Sequence, residues 1–197
     1  MIVWINGAFG SGKTTAAFEL HRRLPGSHVY DPENIGYFIR KNAPKPIDGG
    51  DFQELPLWRA FNYEMLKLIA EKHPGKTIIV PMTLVNEEYF DEIVGRLRTD
   101  GIGIAHFALV ASRETLLARL RTRGEKENSW AAQQIDRCVA SLSRERFGRH
   151  VATDGMSEDE VVERIAAEAG LALRPDKRSR IRKRWDRLIV KLKHIRI

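Results

Sequence analysis

The chain of 197 residues contains a single cysteine, Cys138, so no intramolecular disulfide can form. A chain of this kind suits a reducing compartment, and we interpret Cys138 as a packing residue of a helix. No stretch approaches the roughly 18 apolar residues that would span a bilayer. The apolar run at the N-terminus is short and has no basic segment before it, so we expect no signal peptide. These absences favour a globular protein of the cytoplasm.

Net positive charge is lacking in most of the chain and is concentrated at its end. The net charge is +7, but residues 174–197 hold eleven Lys and Arg against two Asp, a balance of +9 that leaves −2 for the rest. Composition changes at 170–175. We therefore predict two units, a domain at 1–170 and a basic amphipathic helix at 171–197.

Apolar, β-branched runs alternate along the chain with segments of helical periodicity. This alternation predicts an α/β fold whose five-stranded parallel sheet is covered by helices on both faces. The predicted strands are 1–6, 28–30, 77–80, 102–110 and 149–153. The predicted helices are 12–24, 36–40, 57–72, 86–98, 112–123, 130–147 and 157–169, with a loop at 42–56.

Residues 7–14 read GAFGSGKT and fit the P-loop pattern G-x-x-x-x-G-K-[ST] at every fixed position. The strand before and the helix after it are the context this motif requires. Its backbone N–H groups would hold the phosphates of ATP, Lys13 would reach the β- and γ-phosphates, and Thr14 would ligate Mg²⁺. The predicted nucleotide-binding residues are Gly7, Ala8, Phe9, Gly10, Ser11, Gly12, Lys13, Thr14 and Thr15.

A carboxylate is needed near the metal and the acceptor. Asp31 follows the second predicted strand, at the edge where open parallel sheets bind ligands. It could orient Mg²⁺ or take a proton from an acceptor hydroxyl, although a turn residue before Pro32 could look the same. The third strand ends in Pro81-Met82-Thr83 without the Asp usual in P-loop ATPases and GTPases. That absence favours a small-molecule kinase over a motor or switch.

Two arginines lie four residues apart on the helix predicted at 112–123, so they share a face. Arg119 and Arg123 precede a polar stretch that leads to Trp130. We predict a lid whose arginines stabilise the transferring phosphoryl group; a solvated basic helix face is the alternative.

The predicted acceptor pocket combines a segment after the second strand with the start of the helix at 57–72. For each residue of this pocket, the alternative is a structural role in the core or at a helix cap. The candidate substrate residues are Asn34, Tyr37, Phe38, Trp58 and Arg59.

At these residues the chain resembles the family of tunicamycin-resistance proteins of bacilli. The resemblance covers most of residues 1–157, through WINGAFGSGKT, FELHRRLP, VYDPENIGYFIRKN, GDFQELPLWRAFNYEML, IIVPMT and RTRGEKENSWAAQQIDRC. It implies a P-loop kinase-like fold similar to chloramphenicol and shikimate kinases. It also implies ATP binding, with the nucleotide at Gly7–Thr14, and resistance to a nucleoside antibiotic that carries a fatty acyl chain. The family ends in an amphipathic helix that binds membrane.

Two functions fit these features. The first is an ATP- and Mg²⁺-dependent phosphotransferase that acts on a hydroxyl of tunicamycin or a related lipophilic nucleoside. The second is an ATP-dependent binder that sequesters the drug at the membrane without modifying it. A nucleic-acid partner is disfavoured, because the basic tract has one aromatic residue, Trp185, and no stacking series.

Five apolar residues of the tail fall at i, i+4, i+7, i+11 and i+14, which is one stripe on a helix. The basic residues Arg180, Lys183, Arg184, Arg187 and Lys191 lie on its other side. We expect 174–197 to lie flat on the anionic inner face of the cell membrane. The alternative is that the stripe docks on the body of the protein. The stripe consists of Ile181, Trp185, Leu188, Leu192 and Ile195.

Overall fold

A computed structural model describes residues 1–44 and 50–193 of the protein. Its core is a five-stranded, all-parallel sheet in the order β2-β3-β1-β4-β5. The strands are Ile2–Gly7 (β1), His28–Val29 (β2), Ile78–Pro81 (β3), Ile104–Val110 (β4) and His150–Ala152 (β5). The predicted α/β class is confirmed. Because β1 is central and the chain leaves it toward β2 on one side before β4 forms on the other, the loop after β1 lies at the switch point of the sheet.

Helices connect the strands in the predicted order. Those before β4 are Lys13–Arg23 (α1), Glu33–Asn42 (α2), Pro56–Lys72 (α3), Glu87–Phe90 (α4) and Arg96–Thr99 (α5), with a π-helical turn at Asp91–Gly95 joining the last two. Those after β4 are Arg113–Arg121 (α6), Trp130–Gln133 (α7), Ile135–Leu142 (α8), Glu158–Glu168 (α9) and Arg180–Lys193 (α10). Short 3₁₀ turns lie at Phe52–Glu54 and Glu145–Phe147.

Two apolar clusters cover the two faces of the sheet. One face packs against α2, α3 and the π-helical segment, with Trp4 and Trp58 at its centre. The other packs against α1 and α9, where Leu20 and Ile165 are fully buried. Alternate residues of β1 point to opposite faces, which is why all of Ile2–Gly7 is buried.

Local signals predicted several element ends correctly. The Ser157 side chain accepts a hydrogen bond from the N–H of Glu160, and the Glu160 carboxylate accepts one from the N–H of Ser157, so the predicted capping box opens α9. The helix predicted at 130–147 is instead divided at Gln134 and Ser143 into α7, α8 and a 3₁₀ turn. Residues 45–49 of the predicted loop lie outside the described residues. Cys138 is fully buried, as expected for a packing residue.

The tail remains attached to the body beyond Gly170. Leu171 and Leu173 pack against the second apolar cluster, and α10 contacts α1. The stripe of α10 faces away from the body, so Ile181 is 71% and Trp185 60% exposed. The side chains of Lys191 and Leu192 and the whole of Ile195 lie outside what the structure describes. None of the helices in the described part of the chain has the length and apolar character needed to cross a bilayer.

Candidate active site

The loop between β1 and α1 has the conformation that its glycines allow. Gly10 and Gly12 have φ values of 84° and 96°, in the left-handed region that favours glycine. A Cβ atom at Gly10 would lie 2.9 Å from the carbonyl oxygen of Leu116, so the loop also packs too closely for another residue there. The loop is therefore shaped to present backbone N–H groups at the start of α1.

Lys13 reaches back across this loop. Its Nζ donates to the carbonyl oxygen of Ala8 at 3.0 Å and lies 5.6 Å from the centre of the Phe9 ring. Burial lowers the pKa of Lys13 to about 8, and the negative charge of Glu33 opposes the shift. A polyphosphate bound at the loop would replace the neutral carbonyl as partner and favour the charged ammonium.

Two cavities flank the loop. The front cavity, of about 500 Å³, lies between the loop, α2 and the lid that leads into α7. The rear cavity, of about 250 Å³, lies between the loop, α6 and α9. Gly10, Gly12 and Arg123 border both. A ligand that extends from one cavity into the other would therefore pass directly over the phosphate loop.

The two predicted lid arginines differ in their surroundings. Arg119 donates from Nη1 to Thr153 Oγ1 at 3.1 Å and from Nη2 to the Thr153 carbonyl at 2.8 Å, so it is anchored to the segment after β5. Within the described ranges, the guanidinium of Arg123 has neither a hydrogen bond nor an ion pair. Burial lowers the pKa of Arg123, and the nearby positive charge of Arg119 adds to the effect. Arg123 is thus the arginine placed to meet an anion at the rim shared by the two cavities.

Oxygen donors suitable for Mg²⁺ line the front cavity at the end of β2. Asp31 and Glu33 border it together with Thr14, and hydroxyl and carboxylate oxygens are the ligands that Mg²⁺ prefers. Asp31 Oδ1 accepts the backbone N–H of Glu33 at 3.0 Å, which fixes the carboxylate at the start of α2. These residues fit a divalent cation.

The end of β3 supplies no carboxylate, as the sequence indicated. Thr83 lines the front cavity, and its hydroxyl donates to the carbonyl of Gly7 at 2.8 Å. Asn6 is fully buried beside it. Its Oδ1 accepts from the N–H groups of Gly7 and Leu84, at 2.8 and 3.0 Å, and its Nδ2 lies 3.3 Å from His106 Nε2. This network joins the start of the phosphate loop to the chain after β3.

The face of α2 that lines the front cavity differs from the predicted one. Tyr37 lines the cavity as predicted, whereas Asn34 and Phe38 are exposed and do not. The inward face instead carries Glu33 and Arg40, spaced i and i+7 around Tyr37 at i+4. Asn34 and Phe38 each follow a lining residue, Glu33 and Tyr37, by one position, which is about 100° around the helix, so they face solvent.

Trp58 and Arg59 lie behind the wall of the front cavity. Trp58 is fully buried, and its indole N–H donates to the Pro32 carbonyl at 3.0 Å. Arg59 pairs with Glu92 at 2.7 Å, and its Nη1 donates to the Gln53 carbonyl at 2.6 Å. Both side chains thus support residues that approach the cavity, and their predicted contact with substrate stays a prediction.

Sequence reasoning missed part of the front cavity. Phe52 and Gln53 belong to the segment predicted as loop. Contacts with distant residues place them here, among them the hydrogen bond from Gln53 Nε2 to the Thr83 carbonyl at 3.1 Å. Helical spacing from Tyr37 could have identified Glu33 and Arg40. The residues that line the cavity without having been predicted are Glu33, Arg40, Gly50, Asp51, Phe52, Gln53, Pro81, Met82, Thr83, Leu120, Glu125 and Ala131.

Comparisons with known proteins agree with this geometry. A family described as AAA domain matches residues 2–150. The structure is similar to that of the tunicamycin resistance protein of Deinococcus radiodurans, with 35% identity, a TM-score of 0.77, and coverage of 89% of this chain and 98% of that one. No match is found among curated protein sequences.

Two kinases share the fold at lower identity. A sugar kinase from Janibacter sp. HTCC2649 has 20% identity and a TM-score of 0.61, with 87% of this chain and 95% of that chain covered. The APS kinase of Mycobacterium tuberculosis, in complex with AMPPNP and APS, has 16% identity and a TM-score of 0.59, with 86% and 96% covered.

Proposed function

The chain belongs to the AAA-domain family, in the group of the tunicamycin resistance protein of D. radiodurans, and we propose that it is an ATP- and Mg²⁺-dependent phosphotransferase. Its fold is that of P-loop kinases. The proposed acceptor is a hydroxyl of tunicamycin or of a related lipophilic nucleoside. The similarity to a tunicamycin resistance protein supports this acceptor, and the geometry of the two cavities supports the reaction type.

The observation that carries the proposal is the pair of cavities that meet at the phosphate loop. We assign the rear cavity to the nucleoside of ATP and the front cavity to the acceptor. The triphosphate would then cross the loop where Gly10, Gly12 and Arg123 border both spaces. Transfer between two bound molecules needs this arrangement, because the acceptor oxygen must approach the γ-phosphorus in line with the leaving ADP.

Asp31 is the proposed base. It lines the front cavity, where it could accept the proton of the acceptor hydroxyl while that oxygen forms its bond to the γ-phosphorus and the bond to ADP breaks. Thr14 and Asp31 would also hold Mg²⁺, which when bound neutralises charge on the β- and γ-phosphates.

Positive groups of the chain stabilise the transferring phosphoryl in this proposal. Lys13 lies inside the loop, and Arg123 lies at the rim without a protein partner in the described part of the chain. Arg119 acts from further away, since its hydrogen bonds to Thr153 hold α6 against the end of β5. Positioned charge of this kind is the main source of rate enhancement in phosphoryl transfer.

The front cavity suits an acceptor with both polar and apolar parts. Tyr37 and Phe52 stand edge to face with centroids 6.1 Å apart, and Arg40 lies 5.0 Å from the Phe52 centroid. Across the cavity, Trp130 and Phe9 close it from the lid and the loop. Aromatic rings flanked by carboxylates and an amide are typical of sites that bind ring-containing, hydroxyl-bearing molecules.

Formation of ADP tests this proposal. We expect purified protein with ATP and Mg²⁺ to release ADP at a rate that rises with added tunicamycin and saturates. A rate that does not depend on tunicamycin would contradict the proposed acceptor. No ATP binding at all would contradict the assignment of the loop.

The second candidate is an ATP-dependent binder that sequesters the drug. One observation favours it: Asp31 already accepts the N–H of Glu33, and β3 offers no second carboxylate, since Thr83 stands at its end. A binder needs the loop and the front cavity but no base. It would bind tunicamycin in the presence of ATP and release the drug unchanged.

We also propose that α10 holds the protein against an anionic membrane surface. The side of α10 that faces the body is charged, and the apolar stripe that begins at Ile181 and Trp185 faces outward. This is the reverse of an ordinary surface helix, whose apolar side is buried. An outward apolar stripe suits the boundary between headgroups and acyl chains, where an acylated drug would also collect.

The structure changes which basic residues would meet the lipid. Lys183 and Arg187 pair with acidic residues of the body, so they are directed inward. Arg182 and Arg184 remain exposed beside the stripe. Each basic residue near an anionic surface contributes about 1 kcal/mol to the free energy of membrane binding. On these grounds we propose that the protein lies at the inner face of the cell membrane.

A further inference from the structure

The inward side of the tail is held by a network of ion pairs. Arg178, Lys183 and Arg187 of the tail meet Glu19 of α1 and Glu158 and Asp159 of α9, together with Asp176 and Asp186 of the tail itself. Glu19 is only 2% exposed. A carboxylate buried to this degree is costly without a cationic partner. Arg178 of the tail pairs with it, and Arg22 of α1 lies 3.6 Å away.

The acidic residues of this network also have the spacing of a metal site. Oxygens of Glu19, Asp159 and Asp176 lie within 4.8 Å of one another. Each of them, however, pairs with a tail cation: Glu19 and Asp176 with Arg178, and Asp159 with Lys183 at 2.9 Å. The cluster is therefore neutralised by the tail and carries no metal proposal.

Arg187 is the member of the network that pairs with a residue of the rear cavity, Glu158. Its Nη1 donates to Glu158 Oε2 at 3.1 Å, its Nη2 pairs with Asp159, and Nη2 lies 3.7 Å from Glu19 Oε2. The side chain of Arg187 is 12% exposed. One guanidinium thus connects α1 and α9, the helices that form two walls of the rear cavity.

Glu158 stands between the tail and this cavity. It lines the rear cavity together with Thr15 and Ala16 of α1 and Val161 of α9. It also borders a hollow on the outer side of α10 that Trp185 and Leu188 line. The pair of Glu158 and Arg187 is therefore the boundary between the proposed nucleoside cavity and the proposed membrane-facing surface.

The charge of Glu158 matters for a nucleotide in that cavity. An unpaired carboxylate there would repel a polyphosphate and could turn into the cavity. Arg187 contributes positive charge against this carboxylate and holds it by a hydrogen bond of 3.1 Å. The same arginine also bridges α1 and α9, because it contacts acidic residues of both.

We propose that Arg187 is a positioning residue of the nucleotide site, supplied by the tail, so that docking of the tail and affinity for ATP are linked. This inference rests on the proposed assignment of ATP to the loop and the rear cavity. Linkage is reciprocal: a docked tail raises ATP affinity, and bound ATP strengthens docking. The affinity for ATP would then depend on whether α10 is docked on the body. Because α10 carries the apolar stripe, ATP binding would be coupled to the proposed membrane-facing surface.

Calorimetry with ATP and Mg²⁺ on the full chain tests this linkage. We expect Arg187→Gln to raise the Kd for ATP about tenfold, inside the roughly 5- to 150-fold span usual for coupled sites. Lys177→Gln is the matched control, because Lys177 is an exposed cation of the tail with no ion pair in the described ranges. The Kd of this variant for ATP should equal that of the wild type. Adding Glu158→Gln to Arg187→Gln should recover part of the loss, since the uncompensated charge is removed.

A wild-type Kd in a folded Arg187→Gln protein would overturn the inference. If that variant does not fold, hydrogen exchange of backbone amides 180–190 in the wild-type chain decides: saturating ATP should slow their exchange, and unchanged exchange would overturn the linkage. If the wild type binds ATP but shows neither the higher Kd of Arg187→Gln nor slower exchange at 180–190, only this inference is contradicted. Absence of ATP binding by the wild type removes the proposed function as well.

Discussion

The indole of Trp130 stands edge-on to the ring of Phe9, with the centroids 5.1 Å apart and the planes at 73°. Trp130 belongs to the lid at the start of α7, and Phe9 belongs to the phosphate loop. The pair closes the front cavity at the point where lid and loop meet. Through this contact, a movement of the lid would also displace the phosphate loop.

Trp130→Ala should therefore weaken acceptor binding with little effect on stability, because half of the Trp130 side chain is exposed. Aromatic pairs contribute about 0.5–1.5 kcal/mol beyond burial, so we expect KM for tunicamycin to rise roughly 2- to 10-fold. Phe61→Ala, which removes an exposed aromatic side chain of α3, should leave KM unchanged. Equal effects of the two changes would contradict the placement of the lid contact.

Lys13→Met should abolish ATP binding and yet stabilise the nucleotide-free protein. The pKa of Lys13 falls from 10.5 to about 8 through burial, so its ammonium is less favourable in the folded state than in the unfolded one. Between these values the unfolded chain binds more protons, so wild-type stability rises with pH from 8 to 10.5. Below pH 8, where Lys13 is charged in both states, its buried ammonium lowers the free energy of unfolding by about 1–3 kcal/mol.

Urea unfolding of both proteins at pH 7 and at pH 10.5 measures this effect. The variant should have the higher free energy of unfolding at pH 7, and the difference should shrink at pH 10.5. Wild-type affinity of Lys13→Met for ATP would rule out the assigned role of the phosphate loop.

His106 should make the fold sensitive to acid. Burial lowers the pKa of His106 to about 4, and a hydrogen bond to the Phe147 backbone partly opposes the shift. Between pH 6.5 and 4 the unfolded state binds the additional proton, so this part of the stability is present above pH 6.5 and is lost as the pH falls toward 4. The loss amounts to about 3 kcal/mol.

His106→Gln keeps a neutral group beside Asn6 and removes the titration. In urea unfolding from pH 4 to pH 7, the variant should show a flatter dependence of the unfolding free energy than the wild type. Parallel curves for the two proteins would show that the acid sensitivity comes from other groups.

Leu188→Ser should reduce binding to anionic vesicles. Leu188 is exposed on the outward stripe of α10, and burial of such a side chain contributes about 1.5–3 kcal/mol, which corresponds to a loss of at least tenfold in partitioning. Leu57→Ser is the matched control: Leu57 is also exposed but lies on α3, which packs on the opposite face of the sheet. Co-sedimentation of the full chain, with release as salt rises, provides the measurement. Similar losses in both variants would argue against α10 as the membrane contact.

Asp31→Asn separates the two candidate functions. The amide keeps the shape of the side chain but cannot accept the proton of the acceptor. General-base assistance is typically worth about 10²–10⁴-fold, so a phosphotransferase should lose most of its turnover. A binder should keep its affinity for tunicamycin. The test compares drug-dependent ADP formation with drug binding for the same variant.

The position of the phosphate loop could be predicted from the sequence because its motif is local. Residues 7–14 carry the glycines, the lysine and the threonine in one run, and the strand and helix around them follow from short-range periodicity. The capping box of Ser157 and Glu160 was predictable for the same reason.

Contacts between distant segments could not be predicted in this way. The strand order places β1 between β3 and β4, which depends on pairing across about 75–100 residues. Which face of α2 lines the front cavity depends on how the helix packs against α3, and the periodicity of α2 alone does not show this. The amphipathic pattern of α10 defines two faces, but the partners that turn the charged one inward, Glu19 and Asp159, lie far away in the chain.

Mass spectrometry of tunicamycin after incubation with the protein, ATP and Mg²⁺ tests the central claim most directly. The account predicts a product heavier than the drug by one phosphoryl group, formed in step with ADP by the wild type and reduced at least a hundredfold with Asp31→Asn. Drug recovered with unchanged mass from a wild-type protein that binds both ATP and tunicamycin would contradict phosphoryl transfer and leave the ATP-dependent binder as the function.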